Sequence, residues 1–146
     1  MTPPSPPAET VHTSCVAIGG RAVLIGGASG RGKSDLALRL IDRGAALVSD
    51  DYTLVRAVDG RLLASPPETI AGKIELRGVG IVEFPPQREV PVALFVDLDL
   101  DAERLPQPGG TRAFAGVEVP VVGLSALEAS APLKVEAALR QFGLPG

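Results

Sequence analysis

The segment 27–34 constrains this chain more than any other part of its sequence. It matches the pattern G-x-x-x-x-G-K-[S/T] at every fixed position. The apolar run 22–25 precedes it, and helical periodicity follows it from Lys33. In that setting the glycines let backbone N–H groups converge on phosphate oxygens, and the start of the helix presents further N–H groups to the anion. The sequence therefore predicts a phosphate-binding loop between a strand and a helix.

The residue types of this loop predict how it holds a nucleotide. Lys33 is expected to reach the β- and γ-phosphates, and the hydroxyl of Ser34 is expected to be a ligand of Mg²⁺. The alternative is a glycine turn that precedes a helix by chance, but the ungapped motif in a strand–loop–helix setting disfavours it. The predicted nucleotide-binding residues are Gly27, Ala28, Ser29, Gly30, Arg31, Gly32, Lys33 and Ser34.

Two adjacent acids, Asp50 and Asp51, follow the next apolar run at 45–49. In an open α/β sheet, ligands lie outside the carboxyl ends of the strands, so these carboxylates are predicted to face the nucleotide. One acid can hold the hydration shell of Mg²⁺, while the other accepts the proton of an attacking hydroxyl. The alternative is a solvated turn, because aspartate is a common turn residue.

Further candidates carry weaker signals. Glu75 and Arg77 are two residues apart and would share one face of a strand, as a second metal contact and a phosphate clamp. The alternative is an exposed ion pair beside a glycine bulge. His12 is the only histidine, and a lone strand histidine is more often structural than catalytic. Arg104 shows no local signal above that of a surface arginine, and Cys15 is predicted to be a buried small apolar residue.

Composition limits the class of protein. With 146 residues the chain is long enough for one domain with a substantial core, predicted at 11–146 after a proline-rich disordered tail at 1–10. A net charge of −3 and five aromatic side chains argue against nucleic-acid binding. No apolar run approaches the roughly 20 residues of a membrane helix, and the first residues lack the features of a signal peptide. We therefore expect a cytoplasmic protein with no nucleic-acid or membrane partner.

Periodicity and turn residues predict a mixed α/β domain with few helices. The strand–loop–helix–strand order at 21–49 predicts a βαβ unit with a parallel pair of strands. Two-residue turns at 19–20 and 59–60 predict hairpins. The predicted strands are 11–18, 21–26, 45–49, 52–58, 61–64, 90–98 and 117–122, with an extended segment at 73–84, and the predicted helices are 33–43 and 133–142.

Three segments together resemble the catalytic domain of bacterial HPr kinase/phosphorylase. They are Gly-Gly-Ala-Ser-Gly-Arg-Gly-Lys-Ser at 26–34, Arg-Gly-Ala-Ala-Leu-Val-Ser-Asp-Asp at 43–51, and Glu-Leu-Arg-Gly-Val-Gly-Ile at 75–81. The resemblance implies a P-loop kinase-like domain of the HPr kinase/PEP carboxykinase type, in a short form that lacks the family's N-terminal domain. It also implies an ATP- and Mg²⁺-dependent kinase that phosphorylates a serine of the phosphocarrier HPr of the phosphotransferase system, and a hexameric assembly.

The same resemblance implies roles for individual residues. Asp51 matches the family's catalytic acid/base, and Lys33 matches its phosphate-binding lysine. His12 falls where the family has a catalytic-site histidine, which favours a functional role over the structural one. The residues implied in catalysis are His12, Lys33, Asp51, Arg77 and Arg104, and those implied in metal binding are Ser34, Asp50 and Glu75.

Two departures from the family pattern affect the predicted activity. Residues 84–90 replace a basic, glycine-rich loop, and residues 121–128 contain no arginine where typical members have arginines tied to dephosphorylation. The kinase reaction is therefore better supported than the reverse phosphorylase reaction. Two alternatives stay open: a small-molecule P-loop kinase, for which no separate lid or acceptor domain fits in this length, and a nucleotide-binding regulator without kinase activity.

Overall fold

The computed structural model describes residues 7–100 and 110–146, and these form strands with two α-helices. A 3₁₀ turn spans Glu68–Ile70. The strands are β1 (Ala8–Val11), β2 (Thr13–Ile18), β3 (Arg21–Gly26), β4 (Ala46–Ser49), β5 (Thr53–Val58), β6 (Arg61–Ser65), β7 (Lys73–Leu76), β8 (Gly80–Glu83), β9 (Val90–Asp97), β10 (Thr111–Phe114) and β11 (Val117–Gly123), and the helices are α1 (Lys33–Asp42) and α2 (Ala131–Phe142).

One mixed sheet of nine strands organises the described residues. Its order is β1-β5-β6-β9-β3-β2-β4, and β11 joins the end of β9 and carries β10. The contacts of β9 with β3 and with β11 are parallel, whereas its short contact with β6 is antiparallel. Strands β7 and β8 form a separate hairpin. This arrangement confirms the predicted mixed α/β class with few helices.

Strand β3 lies in the interior of the sheet, between β9 and β2, and has apolar side chains on both faces. Val23 and Ile25 pack into the cluster that includes α1 and α2, while Ala22 and Leu24 pack into the cluster on the opposite face. Period-two alternation sends successive side chains to opposite faces, so a continuously apolar strand has to be covered on both. The run 22–25 is accordingly buried throughout.

The two helices cover one face of the sheet. Leu36 and Leu40 of α1 and Leu139 of α2 are buried in the same cluster. At the surface, Arg43 donates from Nε and Nη2 to the Glu136 carboxylate at 2.8–3.1 Å, which ties the end of α1 to α2. Within residues 7–100 and 110–146, neither helix is long and apolar enough to cross a membrane.

The structure confirms both predicted hairpins. Gly19 and Gly20 have φ values of 59° and 82°, and Asp59 and Gly60 have φ values of 51° and 79°. Positive φ at both central residues is the geometry of a type I′ turn, which matches the twist of paired antiparallel strands. Each turn therefore joins two neighbouring strands of the sheet.

The predicted strand 11–18 is wrong in its boundaries. The structure divides it at His12: β1 pairs with β5, whereas β2 pairs with β3 and β4. The first strand also begins earlier than predicted, because Ala8–Val11 belongs to the sheet although most of its side chains are exposed. Backbone pairing, which side-chain polarity does not report, places these residues in a strand.

The predicted parallel pair is also wrong in one respect. Strand β2 lies between β3 and β4 and is antiparallel to both, so β3 and β4 are not hydrogen-bonded to each other. They nevertheless run in the same direction, and both end at the same edge of the sheet. In a simple βαβ unit β4 would lie next to β3. Here β2 occupies that position, because it forms a hairpin with β3.

The remaining differences lie toward the C-terminus. Helix α2 begins at Ala131 rather than at 133, and β10 was not predicted. Three of the four side chains in β10 are exposed, so it lacks the apolar alternation that marks a half-buried strand. The extended segment 73–84 proves to be the hairpin β7–β8 with its flanking residues.

Candidate active site

The loop 27–32 connects the end of β3 to the start of α1, as the motif predicts. Gly32 is the N-cap of α1 and has a φ of 92°, a left-handed conformation that favours glycine. Gly26, just before the loop, faces the ring of Phe95, and a Cβ at Gly26 would lie 2.5 Å from that ring. The glycines thus allow both the sharp turn into the helix and the close approach of β9.

Lys33 is folded back over the loop. Its Nζ donates to the carbonyl oxygen of Gly27 at 2.8 Å and to that of Ala28 at 3.4 Å. The residue is buried, with 6% of its surface exposed. A buried ammonium needs hydrogen-bond acceptors, and the first two carbonyls of the loop supply them. The positive charge of Lys33 therefore lies at the loop itself rather than in solvent.

Asp50 joins three parts of the chain. Its Oδ1 accepts hydrogen bonds from the hydroxyls of Ser34 at 2.6 Å and Ser14 at 2.9 Å, and its Oδ2 accepts one from the backbone N–H of Glu75 at 3.3 Å. These donors stabilise a carboxylate that is only 7% exposed. Ser34 lies in the first turn of α1 and Asp50 follows β4, so the shared sheet edge brings together two motifs that are separate in the sequence.

Asp51 has a very different environment from its neighbour. Its φ of 67° is in the left-handed region, where an aspartate is more readily accommodated than most residues. This conformation turns the side chain outward, and 55% of it is exposed. Its backbone N–H donates to Ser14 Oγ at 3.2 Å. One carboxylate of the pair is therefore buried beside the loop, and the other is accessible to a second molecule.

His12 lies beside Asp51. The Nε2 atom of His12 is 2.9 Å from Asp51 Oδ1, and the imidazole stacks on the ring of Tyr52 with centroids 5.1 Å apart. His12 lies between the end of β1 and the start of β2, and its imidazole lies beside Asp51. The histidine that sequence periodicity alone assigned to a structural role thus contacts the exposed acid of the pair.

The structure separates Glu75 from Arg77. Glu75 lies on β7 and contacts Asp50 through its backbone. Arg77 lies in the turn after β7, where it is exposed. The prediction that both side chains share a strand face is therefore wrong, because the strand ends at Leu76. Arg104 lies outside the described residues.

Three residues of this region had no place in the sequence prediction. Ser14 contacts Asp50, Asp97 is the last residue of β9, which runs parallel beside β3, and Asp99 follows that strand. Asp99 accepts a hydrogen bond from the N–H of Ala28 and pairs with Arg31 at 3.1 Å. The rule that located Asp50, an acid after an apolar strand, also applies to Asp97 and Asp99 and could have found them.

The oxygen atoms at the loop form a donor set that suits Mg²⁺. Carboxylate and hydroxyl oxygens are hard ligands, and Mg²⁺ is commonly held by one or two carboxylates together with phosphates. Ser34 and Asp50 provide such oxygens 2.6 Å apart, and Glu75 follows on the adjacent hairpin. Ser34 and Asp50 are therefore residues that would hold a magnesium ion, which would supply charge neutralisation beside a bound nucleotide.

Comparisons with known proteins identify relatives of this chain. The family described as the HPr Serine kinase C-terminal domain matches residues 6–87. HPr kinase/phosphorylase of Clostridium tetani is 42% identical over 79 residues, which cover 54% of this chain and 26% of that protein. The protein of the same name from Clostridium botulinum strain Eklund 17B is 43% identical over 77 residues, covering 53% of this chain and 25% of that protein. The match thus spans about a quarter of these relatives.

A solved structure extends the similarity beyond the matched segment. The HPr(Ser) kinase/phosphatase from Coxiella burnetii superposes with a TM-score of 0.78 and 30% identity, over 91% of this chain and 95% of that chain. The segment 6–87 contains the glycine-rich loop 27–32, both aspartates and Glu75. The resemblance seen in the sequence is therefore confirmed, and the chain belongs to the HPr serine kinase C-terminal domain family.

Proposed function

We propose that this chain is a Mg²⁺- and ATP-dependent kinase that transfers a phosphoryl group to a serine of an HPr-like phosphocarrier protein. The observation that carries the proposal is the meeting of the loop and the acidic pair: Ser34 Oγ is 2.6 Å from Asp50 Oδ1, and Asp51 is the next residue. Family membership and the names of the relatives support HPr as the acceptor.

The loop and Lys33 would hold the triphosphate. Backbone N–H groups of the loop after Ala28 and of the first turn of α1 would present positive partial charge to phosphate oxygens. Lys33 already lies over the loop, bound to its first two carbonyls, so little reorganisation is needed to place its ammonium near the β- and γ-phosphates. These groups also offset the charge that develops on the transferred phosphoryl group.

Ser34, Asp50 and Glu75 would hold the metal ion. When bound, Mg²⁺ supplies charge neutralisation at the β- and γ-phosphates. Asp50 is kept in place by Ser14 and by the backbone of Glu75, so its carboxylate is oriented before any ligand arrives. Because Ser34 and Asp50 are already in contact, the protein oxygens of the site are close together in advance.

Asp51 would take the proton from the acceptor serine. Its carboxylate is exposed and lies at the same sheet edge as the loop, as a base acting on an external hydroxyl requires. His12 contacts Asp51 Oδ1 and stacks on Tyr52, which restricts the orientation of the carboxylate. The buried Asp50 is engaged by three donors, so Asp51 is the better placed of the two for proton transfer.

Arg77 and Arg104 complete the proposed catalytic set by family resemblance, as cations that offset charge on the transferred group. The proposal further includes a cytoplasmic location and a homohexamer, both also from the resemblance. The reverse phosphorylase reaction is not part of it, because residues 121–128 carry no arginine.

The test is transfer of radiolabelled phosphate from ATP to a purified HPr-like protein. The wild-type chain should label the carrier on serine only when Mg²⁺ is present. Lys33→Ala should lose both nucleotide binding and transfer, whereas Asp51→Asn should lose transfer and keep nucleotide binding. Glu118→Gln, an exposed change on β11, should match the wild type.

The outcomes separate the rival functions. ATP binding without transfer to any carrier protein would overturn the kinase proposal in favour of a nucleotide-binding regulator. Transfer to a small acceptor but not to HPr would indicate a small-molecule kinase. Unchanged transfer by Asp51→Asn would reject Asp51 as the base while leaving the nucleotide site in place.

A further inference from the structure

The carboxylate of Asp99 bridges two points of the phosphate-binding loop. Its two oxygens accept a shared hydrogen bond from the backbone N–H of Ala28, at 3.0 Å and 3.3 Å. The Nε atom of Arg31 lies 3.1 Å from Asp99 Oδ1. Ala28 and Arg31 are also the first and last residues of a turn, since the N–H of Arg31 donates to the carbonyl of Ala28 at 3.2 Å. One side chain therefore contacts both ends of the turn that forms the loop.

Asp99 binds the side of the loop that faces away from Lys33. A trans peptide directs its C=O and its N–H to opposite sides, and the described peptide bonds include no cis bond. The carbonyl of Gly27 accepts its hydrogen bond from Lys33 at 2.8 Å, so the N–H of Ala28 in the same peptide points the other way, toward Asp99. Asp99 and Lys33 thus hold one peptide group from its two sides.

We call the contacts of Asp99 with Ala28 and Arg31 the clamp, and Asp99 is in turn hydrogen-bonded to the end of β9. The N–H of Asp99 donates to Asp97 Oδ1 at 2.9 Å, and Arg112 Nη2 donates to Asp97 Oδ2 at 3.0 Å. Asp97 ends β9 and is 6% exposed, and the guanidinium of Arg112 lies 4.7 Å from the centre of the Phe95 ring. The loop is therefore connected through two aspartates to the ends of β9 and β10.

We propose that Asp99 is a positioning residue for nucleotide binding, a role that rests on the nucleotide site of the proposed function. A loop containing Gly27, Gly30 and Gly32 has many backbone conformations, and only a fraction of them direct its N–H groups at one anion. By fixing the Gly27–Ala28 peptide, Asp99 also fixes the carbonyl that holds Lys33. Loss of the clamp lowers the population of the competent loop, and the apparent affinity falls in proportion.

The direction in which nucleotide affinity changes when Asp99 is removed distinguishes a positioning residue from a residue that competes with the nucleotide. A carboxylate that occupied the phosphate position would compete with the nucleotide, and its removal would tighten binding. Because the Ala28 N–H points away from Lys33, we expect removal to weaken binding instead. The expected loss for Asp99→Ala is about tenfold in affinity for MgADP, the effect of losing a charge-assisted hydrogen bond that orders the loop.

The experiment compares Asp99→Ala, Asp99→Asn and Arg31→Ala in the full chain by calorimetric titration with MgADP. Asp99→Asn retains an oxygen that can accept from Ala28 but loses the ion pair with Arg31, so it should recover part of the affinity. Arg31→Ala should resemble Asp99→Asn, and Glu118→Ala is the matched change away from the loop. Since the Asp99 side chain is 45% exposed, the unfolding midpoint should stay close to that of the wild type.

Two further measurements separate positioning from a general structural role. Exchange of the Ala28 amide hydrogen, followed by NMR without nucleotide, should accelerate in Asp99→Ala while amides of β3 keep their protection. In the transfer assay, KM for ATP should rise, whereas kcat and KM for the carrier protein should stay unchanged.

Equal or tighter MgADP binding by Asp99→Ala would overturn the positioning role, even if the wild type phosphorylates the carrier. Tenfold weaker binding in a protein that phosphorylates no carrier would support the positioning role and overturn the kinase proposal. A wild-type chain with no affinity for MgADP would overturn both.

Discussion

Ser34 donates its hydroxyl to Asp50 at 2.6 Å, and this contact connects the start of α1 to the end of β4. Ser14 and the N–H of Glu75 converge on the same carboxylate, so four segments meet at one buried side chain. A carboxylate so placed serves two purposes. It links the loop to the sheet, and in the proposed function it would also offer an oxygen ligand to Mg²⁺.

Asp50→Ala should therefore reduce both stability and metal affinity. The change leaves two hydroxyls and one N–H without their acceptor, and the free energy of unfolding should fall by about 1–3 kcal/mol in urea denaturation. Ser34→Ala is the matched control, because it removes one of the donors and leaves the carboxylate bound to the other two. It should weaken Mg²⁺-dependent ATP binding with a smaller loss of stability. Equal stability of Asp50→Ala and the wild type would contradict this account.

The positive φ of Asp51 predicts that glycine is more stable than alanine at this position. A Cβ in the left-handed region costs about 1 kcal/mol, and glycine avoids this cost. Asp51→Gly should thus unfold at a higher temperature than Asp51→Ala, while neither variant transfers phosphate. The same pair at Asp35, in the first turn of α1, should show the reverse order, since glycine is less favourable than alanine in a helix. The same order at both positions would contradict the assigned backbone conformation.

The thiol of Cys15 should be unreactive in the folded protein. Burial raises the pKa of Cys15 far above its ordinary value of 9.0, so the reactive thiolate is scarce at pH 8. A colorimetric thiol reagent should react with the chain in denaturant and not in buffer.

The same raised pKa predicts how stability depends on pH. Above pH 9 the unfolded chain loses the thiol proton while the folded chain retains it, so the contribution of Cys15 to stability should decline as pH rises. Cys15→Ala should lack this part of the decline. In the thiol-labelling experiment, rapid reaction of Cys15 in buffer would show that the β2 region opens readily.

Gly26→Ala should destabilise the protein through Phe95. The added Cβ would lie 2.5 Å and 2.7 Å from two ring atoms, closer than carbon atoms tolerate. Overpacking of this kind costs about 1–3 kcal/mol, measurable by thermal denaturation. The double variant Gly26→Ala/Phe95→Leu should recover part of the loss, because the smaller side chain leaves space for the methyl group. Strict additivity of the two changes would indicate that the ring is not the obstacle.

Local pattern was sufficient for the features whose cause is local. Motif, periodicity and turn residues predicted the loop, α1 and both hairpins, because glycine at positive φ and an apolar helical stripe act within a few residues. The same reasoning predicted that Asp50 and Asp51 lie at the edge of the loop, and the structure places Asp50 against Ser34 there. The catalytic and metal-binding roles of the candidate residues stay predictions.

The pattern of apolar and polar residues did not predict where the chain changes the strand with which it pairs. The run 11–18 looks like one strand, but the chain passes from one neighbour to another at His12. A strand's alternation states which face is buried and not which strand lies beside it. The insertion of β2 between β3 and β4 was hidden for the same reason, since hydrogen-bond partners are set by the whole sheet.

By itself, then, the sequence determined the fold class, the glycine-rich loop between a strand and a helix, and the presence of acids at the sheet edge where that loop lies. Only the tertiary structure decided which acid is buried and which is exposed, that His12 contacts Asp51, and that Asp99 grips the loop. Asp99 and Ala28 are 71 positions apart, and Ser14 and Asp50 are 36 apart. Contacts over such separations depend on how the strands are ordered, because packing and backbone pairing across the sheet select them.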